Sequence, residues 1–162
     1  MTAHDRARRE RPDSQGDAMG LAVGLRASVR HVVTEADTAV RAGSGDVPVL
    51  ATPRLLALAE AACVAALEAH LGAGMTSVGT GVALEHRRAS PVGTEIEVEA
   101  ELTELAGRRL VFAFIARHVR PRSAARPDGA GPDGDEEVAG AGSVQRIVVD
   151  RARFLAQAAA AR

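Results

Sequence analysis

The 162-residue sequence predicts an α+β domain in which an antiparallel sheet wraps around one long helix. Three observations lead there. Residues 52–72 are apolar on nearly every side at helical spacing, so this segment belongs in the middle of a fold. After it the apolar period changes from about 3.6 residues to 2 and stays there through the segments that follow. Those segments are joined by short turns bearing Gly or Pro, without the strand–helix alternation that builds a parallel sheet. Strands that keep one polar face, folded around a helix that hides all its sides, satisfy all three.

Each element carries its own signal. Residues 21–33, LAVGLRASVRHVV, alternate, with Val23, Leu25, Ala27, Val29 and His31 on one parity. A loop with Gly43, Ser44, Gly45, Asp46 and Pro48 follows. In TPRLLALAEAACVAALEAHLG, Thr52 suits an N-cap, Pro53 the first helical position and Gly72 a left-handed C-terminal residue. Residues 77–88, SVGTGVALEHRR, read as a strand with Val78, Val82, Leu84 and His86 on one face. The opposite parity, Ser77, Gly79, Gly81 and Ala83, is small enough for close approach of a helix, a backbone or a ligand. SPVG turns the chain at 90–93. TEIEVEAEL points Ile96, Val98, Ala100 and Leu102 inward and Glu95, Glu97, Glu99 and Glu101 toward water. Gly107 tips a hairpin, and RLVFAFIARHV, apolar on both sides, reads as a central strand. Residues 137–150 form the last strand, and RARFLAQAAAA a short terminal helix. Residues 1–20 read as a disordered tail and 21–162 as a single domain, with 121–135 a flexible loop inside it.

Composition removes several classes of function. A net charge of -1 offers no basic field for nucleic acid, and the arginines do not interleave with aromatics. All 20 basic residues are Arg, and Lys, Asn, Tyr and Trp are absent, which points to a GC-rich bacterial genome. Cys63 stands alone, so an intrachain disulfide or a Cys-based zinc site is impossible. Nothing approaches a membrane-spanning apolar run, and the polar N-terminus lacks a signal peptide's apolar stretch, so the cytoplasm is the expected location. There is no G-x-S-x-G elbow, phosphate loop, H-E-x-x-H or C-x-x-C. His4, His31, His70 and His118 have no partner at ligand spacing, and neither a metal nor a cofactor is expected.

Three side chains ask for more than packing. Glu60 sits in mid-helix, with Leu56, Cys63, Val64 and Leu67 at helical spacing around it. An unpaired carboxylate buried there costs on the order of several kcal/mol. An exposed flank or a hydrogen bond to a neighbouring strand would also account for it. His86 ends an alternating strand, where a histidine is either packed into the structure or part of a site. The Thr52 hydroxyl suits a cap, and it is also well placed to hold a substrate oxygen at a helix N-terminus.

Together, ATPRLLALAEAACVAALEAHLGAGMTSVGTGVALEHRRASPVG resembles the fluoroacetyl-CoA thioesterase-like branch of the hotdog superfamily. The matching elements are AT before the helix, E-x-A-C-V within it, S-x-G-T after it, then the His and the P-x-G turn. GSVQRIVVD with the following R-F is similar to that family's last strand and closing segment. The resemblance runs over about residues 49–154 and is most specific over 50–93. It implies a hotdog fold, a sheet wrapped around a long central helix and paired as a homodimer. A second copy would cover the apolar surface that one sheet and one small-residue helix leave open.

The activity implied is hydrolysis of a small acyl-CoA thioester, with CoA present only as part of the substrate. Thr52, Glu60 and His86 would converge on the thioester, Gly79 would offer its backbone amide to the oxygen, and Arg146 matches an Arg on the last strand. Glu60 would act as general base on water or attack the acyl carbon directly. His86 would polarise the substrate or move the proton to the leaving thiolate. Arg87, Arg88 and Arg120 are candidates for the CoA phosphates, or simply solvated surface residues. The family's activity on its very small acyl group depends on an aromatic lid in the loop before the helix. The corresponding stretch here, RAGSGDVPVL, has no aromatic residue, which points away from a fluoroacetyl-CoA specialist. A non-catalytic acyl-CoA or small-ligand binding protein and an acyl-CoA hydratase or dehydratase are the competing readings. The Asp and His pair usual for hydration is not found.

Overall fold

The computed structural model describes residues 20–119 and 138–161. The expected tail, apart from Gly20, and the expected loop at 121–135 lie outside the described residues, as does Arg120. In chain order the elements are β1 (Arg26–Val32), a 3-10 turn (Glu35–Asp37), α1 (Ala39–Ala42), α2 (Thr52–Leu67) and β2 (Met75–His86). They continue with β3 (Glu95–Ala106), β4 (Arg109–His118), β5 (Val138–Asp150) and α3 (Arg151–Ala160). The strands form one antiparallel sheet in the order β1-β3-β4-β5-β2, the α+β arrangement the periodicity predicts. β4, apolar on both faces, is the central strand; β1 and β2 are the edges.

α2 forms from an Ala- and Leu-rich run with no β-branched residue between Pro53 and Cys63, a composition that favours helix. It buries Leu55, Leu58, Ala59, Ala62, Cys63, Ala66 and Leu67. Their spacing of three and four makes a single stripe, which packs in one core with Ile96, Val98, Leu102, Phe112 and Val144 from the sheet. The helix therefore does not hide all its sides. Ala57, Ala61, Val64 and Ala65 are exposed, Val64 at 48 %. Alanine is the source of the difference, because it is apolar enough to suggest burial and small enough to tolerate water. Both expected caps also move. Ala51 is the N-cap and Thr52 the first helical residue, with no side-chain cap bond. The helix stops at Leu67, and the left-handed glycine is Gly74 (φ 76°), ahead of β2, rather than Gly72.

β2 departs from simple alternation. Its pairing with β5 slips between Gly79 and Gly81, leaving Thr80 as an extra residue, and such a bulge exchanges the parities that face inward. Residues paired directly across an antiparallel ladder share a face. Ser77 and Gly79 lie opposite Val148 and Arg146, while Val82, Leu84 and His86 lie opposite Val144, Gly142 and Gly140. Gly79 and His86 thus face the same side, and Val78 does not join them, contrary to an unbroken period of 2. A Cβ on Gly142 would collide with the Ala83 carbonyl, so β5 needs glycine to sit this close to β2.

On the outer face, Arg26 pairs with Glu101 at 2.8 Å and Arg30 with Glu97 at 3.0 Å. Exposed pairs of this kind, screened by water, add little to stability. Among the described residues no helix is long and apolar enough to cross a membrane.

Stability rests instead on the layer between α2 and the sheet. Phe112 is fully buried there. Replacing it, as Phe112→Ala, should lower unfolding free energy by about 3–5 kcal/mol. Urea denaturation would read this as a lower midpoint at unchanged slope.

Candidate active site

Two clusters of polar side chains stand on the inner face. The first is Thr52 and His86. Because Ala51 caps α2, the Thr52 hydroxyl is not spent on the helix end; its Oγ1 lies 3.0 Å from His86 Nδ1. With Thr52 donating, the ring proton sits on Nε2; with Nδ1 donating, Nε2 presents a lone pair. Either way Nε2 is buried without a hydrogen-bond partner among the described residues. Leaving such a group unpaired costs about 1–3 kcal/mol. Burial pushes the His86 pKa below its ordinary value, opposed by the main chain at Arg88, so the imidazole is neutral at pH 7.

This pair opens on a cleft of about 320 Å³. Ala39, Gly45, Val47 and Val49 line one side, Arg87 and Arg88 the other. Every apolar side chain in that wall is small or aliphatic. Arg87 is engaged by Glu85, Nη2 to Oε2 2.8 Å, in an exposed pair, whereas Arg88 lines the cleft without an ion-pair partner among the described residues.

The second cluster is Glu60, Arg146, Ser77 and Gly79. Glu60 is half-buried, 37 % exposed at its side chain, and is ion-paired: Arg146 Nη1 donates to Oε2 at 2.9 Å. Arg146 is itself buried, 5 % exposed, and is fixed by donating Nε to Ser77 Oγ at 2.9 Å and Nη2 to the Ser77 carbonyl at 3.0 Å. A guanidinium held on three sides makes a rigid clamp for one carboxylate oxygen. Oε1 carries no hydrogen bond among the described residues. Gly79 makes the arrangement possible, since a Cβ there would stand 2.8 Å from Oε2. Arg146 is thus a support for Glu60 rather than a free group awaiting substrate.

The expected convergence of Thr52, Glu60 and His86 is only half present within one chain. Thr52 meets His86, but Glu60 bonds to neither. Eight residues separate Thr52 from Glu60, about 12 Å along a helix axis. Cys63, one turn beyond Glu60, is buried, and burial pushes its thiol up to about 12, so it is no nucleophile.

Sequence reasoning missed Asp37, which is buried and bonded to His31, Thr34 and Arg54. It also missed the Ser90–His118 bond, 2.7 Å, because both depend on pairings distant in sequence. His31 on the inward parity of its strand was the available hint, since a half-buried imidazole calls for an acceptor.

One helix laid across a five-stranded antiparallel sheet, with polar pairs at two points along it, defines a hotdog-fold protein of the thioesterase type. A hot-dog-like protein from Thermanaerovibrio acidaminovorans shares this fold, with a TM-score of 0.68 at 19 % identity over 84 % of this chain and 89 % of the other. The chain belongs to the fluoroacetyl-CoA-specific thioesterase family, whose model matches residues 33–122. The fluoroacetyl-CoA thioesterase of Streptantibioticus cattleyicolor is 33 % identical over 109 residues, 67 % of each chain. The crystal structure of a point mutant of a fluoroacetyl-CoA-specific thioesterase superposes with a TM-score of 0.72 at 28 % identity, over 88 % of this chain and 98 % of that one.

Two outcomes follow from this geometry. In Gly79→Ala the new methyl group displaces only the flexible end of Glu60, so stability should change by no more than about 1 kcal/mol. Turnover should fall by about 10-fold or more, since the carboxylate is moved; a thermal melt beside a rate assay separates the two. The second concerns pH. The folded state holds His86 neutral, so as pH falls through about 6.5 the unfolded chain takes up the proton first and this group begins to cost stability. Above that pH it has no effect. The melting temperature of wild type should therefore drop more between pH 7 and pH 5 than that of His86→Gln.

Proposed function

We propose that the protein is an acyl-CoA thioesterase whose working groups are Thr52, Glu60 and His86. The observation that carries this reading is the Thr52–His86 pair, a hydroxyl released from helix capping onto an imidazole whose other nitrogen is buried and unpaired. Hydrolysis needs three things: a carboxylate to activate water or attack the acyl carbon, donors for the carbonyl oxygen as it becomes an oxyanion, and a proton for the departing thiolate. Glu60 Oε1 suits the first, with Arg146 holding Oε2 and so aiming the carboxylate. The Gly79 amide is assigned to the oxyanion. Thr52 and His86 are assigned to orienting the thioester and to delivering the proton that replaces the broken C–S bond. The chemistry is given to these side chains and the Gly79 amide, with CoA part of the substrate, and to the cytoplasm, where a lone reduced Cys63 also belongs.

The separation of Glu60 from Thr52 supports a homodimer in which each site draws on both copies. Position 56 lies midway between 52 and 60, so two α2 helices crossing antiparallel there bring Thr52 of one copy toward Glu60 of the other. Ala57, exposed and small, stands at that crossing. Val82, on the inner face yet 51 % exposed at the sheet edge, lacks the cover a second copy would supply. The cleft beside Thr52 favours an acyl group larger than fluoroacetyl. A cavity of about 150 Å³ holds benzene, and this cleft is roughly twice that with no aromatic side chain in its wall.

Free-thiol release from a series of acyl-CoAs tests the activity. Wild type should release thiol, with short branched or medium chains turned over faster than acetyl, and Glu60→Ala should lose about 10²–10⁴-fold. Binding without release would make the protein a ligand carrier, and loss of enoyl-CoA absorbance without thiol release would make it a hydratase. Subunit mixing tests the shared site. Random assembly of Glu60→Ala with His86→Ala should restore about a quarter of wild-type activity, because half the dimers then carry one intact site. A site complete within one chain would restore none.

A further inference from the structure

The first turn of α2 carries Thr52, yet it lacks the usual anchor. The first helical amides are normally held by a side-chain cap. Here the cap residue is Ala51, which has no polar side chain, and the Thr52 hydroxyl is turned to His86. The turn is tied from outside instead. The Asp37 carbonyl accepts the Ala51 N–H at 2.9 Å, and the Asp37 carboxylate accepts Arg54 Nε at 2.6 Å through Oδ1. These bonds grip the residue before Thr52 and the residue two after it.

Asp37 is itself immobilised. Its Oδ2 accepts His31 Nε2 from β1 at 2.7 Å, and both the N–H and the Oγ1 of Thr34 at 2.8 Å. Burial opposes the charge on this carboxylate, but those hydrogen bonds outweigh it and hold its pKa well below the ordinary range. One residue thus joins β1, the 3-10 turn and the start of α2. Neighbouring bonds extend the tie, with Ala39 N–H donating to the Val49 carbonyl at 2.9 Å and Thr38 bridged to Leu50. The wall of the cleft, Ala39 and Val49, is therefore fixed by the same clasp.

We propose that Asp37, with Arg54 as its arm, is a positioning residue that sets the Thr52 hydroxyl on His86. It touches neither substrate nor reacting atoms and acts through the helix end. The proposal rests on the thioesterase reading for its kinetic consequence, but not for the geometry.

The test uses Asp37→Asn, Arg54→Gln and Arg54→Lys in the full chain, with Arg26→Gln as a control that breaks an exposed ion pair of the outer face. With an acyl-CoA that wild type hydrolyses, kcat should fall about 10- to 100-fold in Asp37→Asn and Arg54→Gln. KM should stay within about twofold. Arg54→Lys, which keeps a charged donor, should recover part of the loss, and Arg26→Gln should match wild type. NMR titration of the His86 ring should show its midpoint moving toward that of free imidazole in the first two variants, as the pair loosens and water reaches the ring. Unchanged kcat in folded Asp37→Asn and Arg54→Gln would overturn the proposal, as would a loss explained entirely by the folded fraction. If Asp37→Asn fails to fold, the milder Arg54→Gln decides. If wild type hydrolyses no acyl-CoA, the thioesterase reading falls while the His86 titration still judges the clasp: a shifted midpoint upholds it, an unmoved one removes it.

Discussion

Every distance in the site follows from how α2 seats on the inner face of the sheet. The contact is made by Leu and Ala on the helix and by Ile, Val, Leu and Phe on the strands, so it is dense and has a single register. A small shift of the helix would separate Thr52 from His86 at one end and Glu60 from Arg146 at the other. Both pairs bridge helix to strand, and neither could be kept by moving one side chain. The core therefore acts as the ruler for the chemistry. Close packing is what lets two weakly related clusters hold fixed positions on one rigid body.

The glycines extend that constraint to the strands. Where α2 presents Glu60, β2 offers Gly79, and where β2 leans on β5, β5 offers Gly142. Each gives up a methyl group, which lets the Glu60 carboxylate close on β2 at Gly79 and the Ala83 carbonyl close on β5 at Gly142. The bulge at Thr80 completes the fit by turning both Gly79 and His86 inward from one strand. Without it, one of the two would face the outside of the sheet.

Much of the fold was legible because periodicity survives locally. The alternation of Ile96, Val98, Ala100 and Leu102 states its own burial, and the two-sided apolar character of β4 states its central place. The bulge was not legible, since one inserted residue in S-V-G-T-G-V leaves the composition of both parities plausible. The exposed side of α2 was hidden by alanine, which reads as core and serves equally as surface. In the site, Thr52, Glu60 and His86 stood out as residue types, but their division between two clusters went unread, because the resemblance implied that all three converge. Asp37 was not, because its meaning lies in partners 6 and 17 residues away in the chain. Pattern within a segment is local information, and a buried ionic junction is not.

The Arg–Glu pairs on the outer face bear on how far the molecule can grow. A sheet of this kind has two open edges, and each is a template for another strand. At β1 the row of Arg26 and Arg30, already matched with Glu101 and Glu97, sets charge along the border. At β2 no charged residue occurs from Met75 to Leu84. The two borders are therefore unequal: one repels an added strand and the other invites it. In the proposed homodimer, a join made through the uncharged border would leave no adhesive border outside it. The association proposed above would then end at a closed pair, and charges that add little to the stability of the chain would serve to limit its growth.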